Sequence, residues 1–286
     1  MADAHVYAPN ATEYIVHHLA HWQTSKQQSI VDFSVINIDT VLFSVLCLGL
    51  TLWLLYAAAK RATSGIPTKF QAAIEILVEL VEDQSRSIVH GNRAFIAPLA
   101  LTVFVWIVMM NAIDLLPVDL LPKIAALFGW YAAGADAHDV YLRPLPTADL
   151  NGTLGMSLGV LLLMLYYGVK IKGVGGFIHE LFCAPFGAHP LLWPANFLLN
   201  LIEYLAKMVS LGMRLFGNMY AGELLFFLIA LMGGYVALNT TGVLLAFAQV
   251  IAGTAWLMFH ILIVLLQAFI FMMLTLVYIG QAHESH

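Results

Sequence analysis

The sequence predicts an all-α membrane protein with about five transmembrane helices, interfacial amphipathic helices, and a last pair of spans forming a long, strongly tilted antiparallel hairpin. Three observations lead there. Hydrophobic residues fill 61% of the 286 positions and charged ones only 10%, against roughly 25% charged in soluble domains. The apolar runs continue for about 20 residues, enough to cross ~30 Å of hydrocarbon, and lack the alternation of barrel strands. Only helices and closed barrels satisfy their own backbone in lipid, so helices remain.

Residues 1–39 read as an external tail and residues 40–286 as a single transmembrane domain. The tail is polar and histidine-rich, without the basic start and apolar core of a cleavable signal peptide. Its short amphipathic piece, Glu13–Trp22, carries His17 and His21 one helical turn apart. No carboxylate or cysteine completes a ligand set there, so a solvated face is expected and no metal. Cys47 and Cys183 lie in or beside apolar stretches and read as small core hydrophobes. The net charge of −5 says little in a chain whose charges are sorted by membrane side.

Span one covers about 41–59, introduced by Asp39 and stopped by Lys60-Arg61. After Ser64-Gly-Ile-Pro67, residues 68–86 repeat apolar positions at three and four spacing, while Glu75, Glu79 and Glu82 line another face. That pattern predicts an amphipathic helix at the interface or against a partner. Span two covers 94–113 and exits through Asp114-Leu-Leu-Pro-Val-Asp-Leu-Leu-Pro122. Residues 123–148, with Trp130, Tyr131, Tyr141, Asp136 and Asp139, suit an aqueous loop. Span three, 150–169, follows the N-cap-like Asp149 and ends at Lys170 and Lys172. A turn at Gly173–Gly176 and an amphipathic piece over about 176–184 come next.

The last two segments, about 196–231 and 243–278, would each be ~54 Å long as helices, against a hydrocarbon core of ~30 Å. Two strongly tilted helices joined near Gly233, Gly234 and Asn239 explain this; a helix broken at Gly212 or Gly217 is the competing account. Lys60, Arg61, Lys69, Arg86, Arg93, Lys170 and Lys172 fall on one side of the five spans, and Lys26, Lys123 and Arg143 on the other. The positive-inside rule then puts the N-terminus outside and the C-terminus in the cytoplasm.

Arg214 and Glu223 interrupt the fourth apolar run. A guanidinium keeps its charge, and at a bilayer centre costs at least ~2.5–3.5 kcal/mol, so it must face protein or water. On a helical wheel Asn200, Glu203, Lys207, Ser210, Arg214 and Asn218 share a face about 80° wide along ~27 Å of axis. Glu203 and Lys207 stand i, i+4 and can neutralise each other. Arg214 has no acidic residue at i±3 or i±4, which points to a counter-charge elsewhere. Glu223 falls on the opposite face, ~13 Å along. In the last span Gly253, His260 and Gln267 recur every seven residues, within about 20° of one line. A lone histidine on an apolar helix is commonly a hydrogen-bonded core residue. Here Gln267 stands beyond it and Glu223 is expected opposite, a composition suited to a proton relay.

The stretch Ser210-Leu-Gly-Met-Arg-Leu-Phe-Gly-Asn-Met-Tyr-Ala-Gly-Glu223, with Phe259-His-Ile-Leu-Ile263 and Leu266-Gln-Ala-Phe-Ile-Phe271, closely resembles subunit a of bacterial F-type ATP synthases. The similarity extends through Ala62–Pro67, Asn111–Pro117 and Pro146–Asp149, and covers most of the chain from about Asp39. The resemblance implies a stator subunit of the inner membrane beside a ring of c subunits, held with the b subunits of a peripheral stalk and the rest of the F1Fo complex. Membrane lipids would surround it; no cofactor, nucleic acid or chemistry of its own is implied. Arg214 matches the essential arginine that faces the ring and draws the proton from the passing carboxylate. Asn218, Glu223, His260 and Gln267 match a half-channel open to the periplasm, to which Asp114 contributes. Ser210, Asn200 and Lys207 would line the exit toward the cytoplasm. A glutamate of the enterobacterial pattern falls on Asn200 here, and Glu203, one turn later, is expected to take its exit role.

Two other classes fit less well. A transporter would show internal repeats and a substrate cavity. An intramembrane hydrolase would pair a nucleophile with a base, and neither Ser210 nor His260 sits in such a motif.

Overall fold

The computed structural model describes residues 15–16, 18–25, 32, 34–117, 120–125, 142–187, 189–234 and 240–283. The aqueous-loop reading of residues 126–141, the hairpin turn at 235–239, Lys26 and His17 lie outside them.

Helix α1 spans Ile38–Arg61, with Asp39 in its first turn and Lys60 and Arg61 in its last, charges that complement the helix dipole. Helix α2 spans Lys69–Ile88 and is N-capped by Thr68, whose side chain accepts the Gln71 N–H. One face buries Gln71, Val81 and Ser85, while Glu75 and Glu79 are exposed. Helix α3, Ile96–Ala112, tightens into a 3-10 turn at Ile113–Leu115. Leu116 is extended, at φ −77° and ψ 150°, as the following Pro117 requires. That turn gives Asp114 its place off the helix end. A short helix α4 covers Leu120–Ala125.

Helix α5 runs Leu150–Cys183 and bends at Gly173, where φ is 70° and ψ 162°. Span three and the following amphipathic piece therefore join at one glycine, without the four-residue turn expected from the sequence. Helix α6 runs Trp193–Gly234 for 42 residues, and α7 runs Thr240–His283 for 44. Both outrun the expected ranges. The start of α6 was expected after Pro194, but a proline in the first helical turn gives up only an N–H that has no partner there anyway. Helix α6 is continuous through Gly212 and Gly217, so the broken-helix account does not hold. At 1.5 Å per residue each helix is roughly twice as long as a ~30 Å hydrocarbon core is thick.

Among the described residues five helices are long and apolar enough to cross a membrane: α1, α3 with its 3-10 turn, α5, α6 and α7. The chain divides into two compact units. One comprises Met1–Leu46, Met110–Asp149 and Gly217–Leu265; the other comprises Cys47–Met109, Leu150–Phe216 and Leu266–His286. The first buries Met110, Leu145, Met219 and Phe227; the second buries Ile96, Ile107, Leu211, Leu215, Phe271 and Met272.

Candidate functional site

In the first unit two aspartates, a glutamate, three histidines and an arginine gather. Arg143 leaves the chain between Leu142 and Pro144 and is only 5% exposed. Its backbone N–H donates to Asp39 Oδ2 at 3.2 Å. Its guanidinium grips Glu223 at both oxygens, with Nε 3.2 Å from Oε1 and Nη2 against Oε2. The Tyr220 ring lies 5.5 Å from the guanidinium carbon. A planar fork on a carboxylate is the strongest form of this pair.

His260 is fully buried, with Nε2 2.7 Å from Asp114 Oδ2. Phe226 meets its ring edge-on at 5.1 Å, and Trp256 lies at 5.8 Å. The ring rests against Gly222: a Cβ added there would stand 2.2 Å from the imidazole Cε1. Asp114, Glu223 and His18 line a common cavity of about 30 Å³ with Leu142 and Phe227. That is room for a water or two between the carboxylates.

One expectation needs correction and another gains its partners. Glu223 was expected opposite His260; the carboxylate pairs with Arg143, while His260 stands beside Asp114 and against Gly222. Helical angles fix which face a residue occupies and leave open which neighbour covers that face. Arg143 was counted as an aqueous loop charge, yet it is buried beside Glu223. The signal for it was local: an arginine set between Leu142 and Pro144, with Leu145 and Pro146 following, offers its backbone and its neighbours to a core.

His21 and Asp39 were also missed as site residues. His21 Nδ1 lies 3.2 Å from Asp39 Oδ2, and its Nε2 lies 3.1 Å from Arg143 Nη1. Asp149, read as a helix cap, receives Asn37 Nδ2 at 2.7 Å and Thr40 Oγ1 at 2.8 Å. These bonds tie His21, Asn37, Asp39 and Thr40 to the segment that carries Arg143.

In the second unit Arg214 is half-buried and donates to Ser210 Oγ at 3.4 Å. No carboxylate among the described residues stands within ion-pair distance of it. Two lysines of this unit differ: Lys207 Nζ is 2.7 Å from Glu203 Oε1, and Lys172 Nζ is 2.6 Å from Glu180 Oε2. Lys207 also donates to Gln281 Oε1 at 2.9 Å. These two pairs line a cavity of about 620 Å³ with Asn200, Tyr204 and Gln281. The sequence reading missed Lys172 and Glu180, which lie eight residues apart across the Gly173 bend.

Asn200 commits both amide hydrogens to the carbonyls of Leu181 and Ala184, each at 3.0 Å. Asn196, one turn earlier, donates to Phe182 O and Gly187 O and accepts from Phe186 N. Together they clamp the end of α5 and the chain after it to α6. Of the expected inlet residues, Asp114, Asn218, Glu223 and His260 belong to the first unit and buried Gln267 to the second. All the expected exit residues, with Arg214, belong to the second. Among the described residues no cluster of three His, Cys, Asp or Glu side chains could hold a metal.

Long apolar helices that seal guanidinium, imidazole and carboxylate groups inside them define a multi-pass membrane protein of the ion-transporting class. Residues 41–280 match the family described as ATP synthase A chain. The chain belongs to that family. It is 59% identical to the ATP synthase subunit a of Paracidovorax citrulli (strain AAC00-1), over 99% of both chains. It is 58% identical to that of Acidovorax sp. (strain JS42), over 100% of this chain and 99% of the relative. The subunit a of Verminephrobacter eiseniae (strain EF01-2) is 55% identical over 99% of both.

Proposed function

We propose that this chain is the proton-conducting stator subunit of the Fo sector of an F-type ATP synthase in a bacterial inner membrane, with no bond-making chemistry of its own. It would stand beside a ring of c subunits and be held by the b subunits. Asp114, Asn218, Glu223, His260 and Gln267 form the inlet half-channel, and Ser210, Asn200, Glu203 and Lys207 the exit. Arg214 faces the ring, takes the proton from each arriving carboxylate electrostatically and prevents a direct leak. Proton flow then turns the ring and drives ATP synthesis.

One observation carries this reading. Arg143, Lys172 and Lys207 each pair with a carboxylate, whereas among the described residues Arg214 meets only the Ser210 hydroxyl. A permanent cation in an apolar helix needs a counter-charge, and a moving partner carboxylate supplies it. The chain enters with its N-terminus in the periplasm and ends in the cytoplasm. Burial of Arg143 removes it from the charges on the periplasmic side, which strengthens the lysine and arginine asymmetry behind that orientation.

The test is Arg214→Ala in the intact complex in membrane vesicles. ATP-coupled proton transport is expected to vanish; coupling at the wild-type level would refute the assignment. A second expectation concerns the exit. Glu203→Gln should slow ATP-driven proton pumping severalfold, measured by quenching of a pH-sensitive dye. An unchanged rate would reduce Glu203 to the ion-pair partner of Lys207.

A further inference from the structure

We propose that His21 is a positioning residue for the Arg143–Glu223 pair, and that protonating it from the aqueous side loosens the pair and frees Glu223 to receive a proton. This rests on the half-channel reading above.

The tautomer follows from donor bookkeeping. A guanidinium has only donors, so His21 Nε2, 3.1 Å from Arg143 Nη1, must offer a lone pair. The ring hydrogen then sits on Nδ1, 3.2 Å from Asp39 Oδ2. Asp39 is itself fixed, accepting the N–H groups of Trp22 at 3.1 Å, Thr40 at 2.8 Å and Arg143 at 3.2 Å. Neutral His21 therefore fits one orientation. It holds the third corner of a guanidinium whose Nε and Nη2 grip Glu223.

A proton added to Nε2, taken from a hydronium ion that leaves as water, turns this contact into donor against donor and cation against cation. Asp39 keeps its bond to Nδ1 and holds the imidazolium in place, so Arg143 is the group that yields. Moving the guanidinium releases the Glu223 carboxylate into the cavity it shares with Asp114 and His18. Among the described residues the groups facing His21 are Asp39 from α1 and Arg143 from the segment before α5. Glu223 from α6 lies behind Arg143, close enough for its charge to interact with that of His21 directly, so freeing Glu223 requires the guanidinium itself to move. Accessibility sets the order of events. The His21 side chain is 13% exposed, and those of Arg143 and Glu223 are 6% and 7%, so the proton meets the imidazole first. Histidine is also the side chain type that gains its charge between about pH 5 and 8.

The test uses the complete complex in liposomes, making ATP under a constant total driving force while pH is varied on the side facing the tail. The wild-type rate should rise roughly tenfold between about pH 7.5 and 5.5, the range in which a histidine gains charge. His21→Gln can accept from Arg143 and donate to Asp39 without ever charging, so its profile should be flat and low. A wild-type profile in His21→Gln would overturn the proposal. Nitrogen-15 solid-state NMR of histidine-labelled complex, with His21→Gln identifying the signal, should show a proton on Nδ1 and none on Nε2 at alkaline pH. A proton on Nε2 there would also overturn it. The NMR result does not depend on coupling, so failure of the half-channel reading in Arg214→Ala remains distinguishable from failure here.

Discussion

Arg143→Ala is expected to lower the stability of the protein by roughly 3–5 kcal/mol, the usual consequence of removing one partner of a buried ion pair. Alanine leaves the Glu223 carboxylate without its two-pronged partner and opens a hole beside Tyr220. Lysine should rescue only part of the loss, because a single ammonium cannot reproduce the fork. Thermal unfolding of the purified complex, followed at this subunit, measures the effect. The decisive comparison is the double variant Arg143→Ala/Glu223→Gln. Removing the charge on Glu223 should make it more stable than Arg143→Ala alone. A double variant no more stable than the single one would show that the pair is not energetically coupled.

Gly222→Ala is expected to have the other large effect. The new methyl group would sit 2.2 Å from His260 Cε1 and 2.8 Å from Nδ1. Phe226 and Trp256 bracket the ring, and the side chain has no exposed edge, so the imidazole cannot swing aside within the core. Overpacking of this kind costs about 1–3 kcal/mol, and the His260–Asp114 contact would be lost with it. Coupled proton transport should fall well below wild type. Gly222→Ala/His260→Ala separates the two consequences: relief of the clash restores thermal stability, while transport stays low. If Gly222→Ala transports normally, the close approach of ring and backbone has no bearing on function.

How far the fold was legible follows from the solvent. Apolar runs such as Val41–Ala59 and Val243–Tyr278 announce helices because hydrocarbon permits little else. Their ends were less legible, as Trp193 and Pro194 show, since a first-turn proline can belong to the helix or precede it. At the site, Arg214, Glu223 and His260 stood out because each is polar within apolar surroundings. Partner choice did not. Glu223 and Arg143 are 80 residues apart in the chain, and no periodicity links them; Asp114 meets His260 only because α3 ends in a 3-10 turn. Lys172 and Glu180 were hidden for a similar reason, since their contact depends on how sharply one glycine bends the helix. His21 was read as part of a solvated face because the arginine that covers it lies 122 residues further along the chain.

At φ 70° and ψ 162° Gly173 occupies backbone space essentially closed to L-residues, yet a side chain there would meet no atom within 4 Å. The obstacle to substitution is therefore handedness and not room. L-Alanine would strain the bend, whereas D-alanine, for which these angles mirror ordinary extended backbone, would hold it and lose less chain freedom on folding than glycine does. A subunit assembled by chemical ligation with D-alanine at 173 should keep the bend and the Lys172–Glu180 pair and gain rigidity, while its mirror twin with L-alanine loses both.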